Sequence, residues 1–158
     1  MSRDAGFADG AERALNLLAR DAADLQVIST LVQDAVLGMS DMKWDRRRRR
    51  FALLLNRFRW EDRPAAEAGR RPFERVRAML VAEDVTAVRT MGIDRSGGDA
   101  VLSVLALGFA EGPDGTGTLT LTLAGDGAVA LSVEALEVRL RDVTRPYHAP
   151  SGKAPSHD

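Results

Sequence analysis

Threonine and leucine alternate without a break from Thr118 to Leu123. A period of two sends successive side chains to opposite faces, so this stretch predicts a strand with one face on a core and one on solvent. Gly125, Asp126 and Gly127 follow, and the apolar run resumes in "GAVALSV". Glycine and aspartate tolerate the left-handed backbone of a tight hairpin, which makes this the best hairpin signal in the chain. Other strand-like runs cover 14–20, 41–44, 51–60, 74–82, 85–93 and 100–109, with a turn expected at Glu83–Asp84. The closing stretch "EALEVRLRDV" is ambiguous. Leu136, Val138 and Leu140 alternate as in a strand, whereas Val133, Leu136, Leu140 and Val143 fit a helical stripe. A strand with a bulge near Glu134–Ala135 is the preferred reading, because the apolar parity changes there.

One segment carries a clear helical period. Leu25, Ile28, Leu31, Val32, Ala35 and Val36 recur at steps of three and four within 22–38. Asp21 is placed to cap the first free amides, Asp24 lies in the first turn, and Gly38 reads as the stop. Gln26, Ser29, Thr30, Gln33 and Asp34 form the opposite face, which has no basic residue. Such a helix packs on a protein core; binding a membrane surface is not expected.

One early helix followed by short strands predicts an α+β domain. Its main part is an antiparallel curved sheet or partly open barrel of about seven to eight strands, covered by the amphipathic helix near the N-terminus. A pleckstrin-homology-like barrel is one candidate shape, although the clear helix comes early here and not last. The domain is expected over 14–143. Residues 1–13 and the proline-rich 144–158 read as disordered extensions, with 63–72 a surface loop.

Composition adds mostly exclusions. The chain has 158 residues, 45% hydrophobic and 28% charged, with net charge −1. Nothing in that balance pushes the whole molecule toward nucleic acid. There are no cysteines, and both histidines, His148 and His157, fall in the tail. No apolar run approaches the ~20 residues needed to span a bilayer, and the acidic opening residues do not resemble a secretion signal. A cytoplasmic soluble protein is the expectation, with no membrane partner.

The charge is unevenly placed. Thirteen basic and five acidic residues fall between Lys43 and Arg77, leaving nine basic and eighteen acidic for the rest. Arg46, Arg47, Arg48, Arg49 and Arg50 run together into "FALLLNRFRWED". One reading is a phosphate-binding face, with Trp44, Phe58 and Trp60 available to stack bases. The competing reading is a hairpin with a solvated tip and a core arm, since five like charges cannot all face inward. The arm is apolar on both faces, as in a central strand buried on two sides, and the hairpin reading is favoured.

Chemistry beyond binding is poorly supplied. "GIDRSGGDA" (92–100) has the composition of an anion loop but lacks the lysine and following helix of a phosphate loop. The body has no histidine, no cysteine and no G-x-S-x-G serine. Acid pairs at Glu61–Asp62 and Glu83–Asp84 sit at strand ends, where carboxylates are usually solvated. No cofactor, metal or catalytic residue is expected.

The stretches "LNRFRWE" (55–61), "GIDRS" (92–96), the helix "DLQVISTLVQDAV" (24–36) and the closing "LSVEALEVRLRDV" resemble the domain-of-unknown-function 2948 family of alphaproteobacterial proteins, over about Leu15 to Val143. The resemblance implies no assigned activity, and it directs attention to its motifs. Asn56 shares a face with Leu54 and Phe58 and could fix strand register as a buried amide. Arg57 could pair with Glu61 or with Asp94. Alternatively, Arg57, Arg59 and Arg95, with the arginine run, line one side of a sheet and contact an anionic ligand or partner, while Asn56, Trp60, Glu61 and Asp94 serve as structure. The function expected is a non-catalytic binding or interaction module whose partner is unknown, with a protein the first choice. An RNA- or DNA-contacting protein using 43–77 comes second, and an enzyme of unknown reaction third.

Overall fold

In the computed structural model, residues 14–62, 74–93, 100–144 and 147–148 are described. The chain begins with strand β1 (Asn16–Ala19) and helix α1 (Ala22–Val32). Strands β2 (Val36–Gly38), β3 (Met42–Asp45), β4 (Arg50–Phe58) and β5 (Glu74–Ala82) follow. They lead to β6 (Val85–Met91), β7 (Val101–Glu111), β8 (Gly117–Leu123), β9 (Gly127–Val133), β10 (Val138–Asp142) and the short β11 (Tyr147–His148). All pairings are antiparallel, and the order across the sheet is β1-β10-β5-β4-β2-β7-β8-β9-β6; β11 adds to β5 and β3 to β4. The sheet is open, bent on itself, and covered by the helix, as the hydrophobic pattern predicts. Among the described residues it has eleven strands, more than the seven or eight expected; β2 and β11, of three and two residues, are too short to leave a periodic signal.

The bend brings two halves together over one core. β1, β10, β5, β4 and β3 form an arginine-rich half; β7, β8, β9 and β6 form a threonine-rich half. Phe51, Leu53 and Leu80 of the first meet Leu107, Leu119 and Leu121 of the second around a small apolar space. Leu25, Ile28 and Val32 of α1 close the core. Thr118–Leu123 behaves as its alternation requires, with Leu119, Leu121 and Leu123 buried. Gly125 (φ +80°) and Asp126 (φ +67°) turn the β8–β9 hairpin in the left-handed region.

Four expectations need correction. The helix ends at Val32, and Gly38 is not its stop. Asp34 turns the chain at φ +65°, and the N–H of Asp34 and the carbonyl of Ala35 bond Val104 at 2.8 and 2.9 Å. Ala35 and Val36 therefore leave the helix for strand pairing with β7, where their backbone groups find partners. Ser29, assigned to the solvent face, is buried, and its Oγ accepts from Leu107 N–H at 2.9 Å beside an irregularity in β7. The ambiguous C-terminal element is strand only from Val138; residues 134–137 are a connection, not a bulge within one strand. Finally, β4 is fully buried on one side only. Phe51, Leu53, Leu55 and Arg57 face inward, while Ala52, Leu54 and Asn56 are half-buried on the outside.

Strand pairing also continues to Tyr147–His148, inside the stretch read as a tail. Among the described residues, no helix is long and apolar enough to cross a membrane.

Candidate functional site

The five arginines belong to a hairpin. β3 and β4 pair from Met42↔Leu53 to Asp45↔Arg50, so Arg46 to Arg49 make the turn, closed by Arg49 N–H to Arg46 O at 3.3 Å. Asp45 Oδ1 accepts from Arg48 N–H at 3.1 Å. Arg49 pairs with Glu134, and Arg50 Nε reaches both oxygens of Glu83 at 3.2 and 3.0 Å. These two arginines pin the tip to the far corner of the sheet. Arg46 and Arg47 project to solvent, and Arg48 lies 4.0 Å from Asp45.

Arg57 is different. The register Arg57↔Val76, with Leu55↔Ala78 and Ala78↔Asp142 one row away, puts its guanidinium on the inner face beside Asp142. Its side chain is fully buried, and all five of its N–H donors are engaged. Nε and Nη2 bond Asp142 Oδ1 and Oδ2, both at 3.0 Å; Nη1 and Nη2 bond Glu61 Oε1 and Oε2 at 2.9 and 2.8 Å; Nη1 also bonds Phe58 O at 3.0 Å. Asp142 in turn accepts Leu15 N–H at 2.9 Å, tying β1 into the network. Burial is the largest influence on the Arg57 pKa and lowers it. The hydrogen bonds and charges of Glu61 and Asp142 together outweigh it, and the net shift is upward. Arg59, also buried, pairs with Glu74 and lies 3.9 Å from Glu61.

Arg57 therefore meets Glu61, one of the partners named from the sequence, and a second carboxylate, Asp142, that the sequence reading passed over. A ligand anion would have to displace carboxylates already bonded at 2.8–3.0 Å. Asn56 is half-buried, and its Oδ1 has no hydrogen-bond partner among the described residues. Trp60 donates from Nε1 to Gln33 O at 2.9 Å, satisfying a carbonyl at the end of α1. Phe58 lies under the Arg75 guanidinium, 4.2 Å from the ring centre, and Trp44 faces inward beside Phe51. Phe58 and Trp60 pack against each other, ring centres 5.6 Å apart and planes tilted by 45°, while Trp44 lies apart on β3, so the three do not form one stacking surface. Asp94 and Arg95 lie outside the described residues. Gly92 of the same motif has a clear structural reason. Its φ is +66°, and a Cβ there would lie 2.5 Å from Asp126 O.

Besides Arg46 and Arg47, positive charge without a carboxylate partner among the described residues lies on the outer sheet face. On the outer face of the arginine-rich half, directly opposed residues share one side of the sheet. One row reads Lys43, Ala52, Val81, Arg139 and Leu18; the next reads Leu54, Met79, Arg141 and Asn16; Asn56 and Arg77 continue it. Lys43, Arg77, Arg139 and Arg141 are exposed, and Ala52, Leu54, Met79 and Val81 between them are half-buried. Among the described residues, only Arg139 of these four has a side-chain partner, Asn16 Oδ1 at 3.0 Å. The acids at the edge of this face are matched, Glu83 by Arg50 and Glu137 by Arg20. Arg77 closes the basic segment read from the sequence, but Arg139 and Arg141 were not singled out there. The available signal was "VRLRD", whose arginines alternate with core residues.

These features define an open, helix-covered antiparallel-sheet domain with a buried arginine–carboxylate knot and a basic outer sheet face. The family model described as Protein of unknown function (DUF2948) matches residues 15–157, and the chain belongs to that family. No curated protein and no solved structure matches the chain.

Proposed function

We infer that the protein is a non-catalytic interaction module that docks an acidic partner protein on the outer face of β3, β4, β5 and β10. The observation that carries this reading is the apolar strip Ala52–Leu54–Met79–Val81, framed by Lys43, Arg77, Arg139 and Arg141. Among the described residues these opposed rows hold no carboxylate, and the nearby Asp41 accepts from Gly38 N–H. An apolar centre with an arginine rim is the usual anatomy of a protein–protein contact, and methionine and arginine are enriched there. Unpaired basic side chains also favour a partner of opposite potential and speed its encounter.

A photo-crosslinking residue at Leu54 tests this in cells, with one at Leu105, exposed on β7, as control. The expected result is a defined protein adduct from position 54 that disappears when Arg77→Glu and Arg141→Glu are added. Adducts that survive both reversals, or that match those from position 105, overturn the reading. Nuclease-sensitive adducts, with retention on heparin falling steeply as salt rises, would replace the partner by a nucleic acid.

A further inference from the structure

Among the strand edges with no partner in the described residues are those of β3 and β6, and the bend brings these two toward each other. β3 pairs only with β4, and β6 only with β9. At one end the edges are stapled, by Val85 N–H to Arg49 O at 2.9 Å and by the Arg49–Glu134 pair. Beyond the staple lies a cleft of about 670 Å³, lined by Met39, Met42 and Trp44 on one side, Val88 and Thr90 on the other, and Phe51 on the floor. Free edges present rows of backbone donors and acceptors, which only another extended backbone can satisfy in full.

We propose that this seam takes an extended acidic peptide from a partner, which adds as a strand between β3 and β6. The register specifies its side chains. Met42 and Trp44 share the inner face with Leu53 and Phe51, and Val88 and Thr90 sit opposite the core residues Leu131 and Val129. Inward positions of the added strand therefore meet apolar groups. Outward positions lie between Lys43, on the outer row of β3, and Arg89, which is exposed on β6. Neither base has a carboxylate partner among the described residues, and opposite charges on neighbouring strands attract. The fitting sequence alternates apolar and acidic residues, over roughly the five residues from Thr86 to Thr90, about 17 Å of strand. The same two bases argue against a second copy of this chain, whose edges would bring like charges together. The seam shares only Lys43 with the outer-face site and otherwise uses different side chains, so either can hold without the other.

The probe is a blocked decapeptide alternating valine and glutamate, titrated into the full chain and followed by backbone amide NMR. Saturable shifts and slowed exchange are expected at Met42–Trp44 and Thr86–Thr90. Binding should be at least about tenfold weaker for the valine–lysine peptide and for the valine–glutamate peptide with a central proline, which breaks the ladder. Ala87→Glu, at an exposed lining position, should weaken binding at least about tenfold, while Leu105→Glu should not. The proposal is overturned by equal binding of the lysine peptide, or by shifts confined to Arg77, Arg139 and Arg141. No shift up to about 1 mM peptide also overturns it. If Ala87→Glu unfolds the chain, which its unperturbed β8–β9 amides would exclude, Arg89→Glu replaces it with the same expectation.

Discussion

From Ala100 to Leu136 the chain carries four acids and no lysine or arginine. The threonine-rich half built largely from this stretch excludes water by alternation alone, with leucines in and threonines out. The arginine-rich half places Arg57 and Asp142 on its inner face, at the edge of the same core, and satisfies them against each other and Glu61. One half is specified locally, pair by pair along a hairpin. The other is specified by a contact between residues 85 positions apart. The difference teaches where charge is structural in this molecule and where it is free. Arg57, the most deeply buried cation, is fully matched. The exposed cations without a carboxylate partner among the described residues lie outward on β3, β5, β6 and β10 and at the hairpin tip.

Substitution can break that contrast. The largest effect is expected at Arg57→Ala, which leaves the Asp142 carboxylate buried without its counter-charge and should cost about 3–5 kcal/mol in urea unfolding. Replacing both partners, Arg57→Met with Asp142→Leu, should recover most of that loss. A double variant as weak as the single would show that the knot contributes more than mutual neutralisation. In the other half, Leu121→Ala removes only apolar packing and should cost about 2–5 kcal/mol, with no rescue by a second change. Gly92→Ala should cost roughly 1–3 kcal/mol in thermal unfolding, because alanine is strained at that φ and meets the Asp126 carbonyl.

A pH series sharpens the same comparison. The Arg57 pKa is raised in the fold, so its contribution is fully present below the unfolded guanidinium value, itself far above neutrality, and is lost only at higher pH. The stability gap between the parent and Arg57→Ala should therefore stay level between pH 7 and pH 10. A gap that closes in that window would mean Arg57 is not held charged. The smallest effect belongs to the loudest sequence feature. Changing Arg46, Arg47 and Arg48 to serine should move stability by no more than about 0.5 kcal/mol, since their side chains are exposed and at most weakly paired.

Much of this molecule is written in its local pattern. The Thr–Leu alternation, the Gly125–Asp126 turn, the Asp21 cap accepting Asp24 N–H at 2.8 Å, and the arginine hairpin follow from period and turn chemistry. The Arg57–Glu61 pair was legible because four residues separate its members. Tertiary structure decided the rest. It ended α1 at Val32, because Ala35 and Val36 gain backbone partners in β7 that a helix end lacks. It also chose Asp142 as the second acid for Arg57 and aligned Lys43, Arg77, Arg139 and Arg141 on one outer face. Those outcomes depend on which strands lie side by side and in what register. No short-range pattern carries that information, because pairing energy is gathered between residues far apart in the chain.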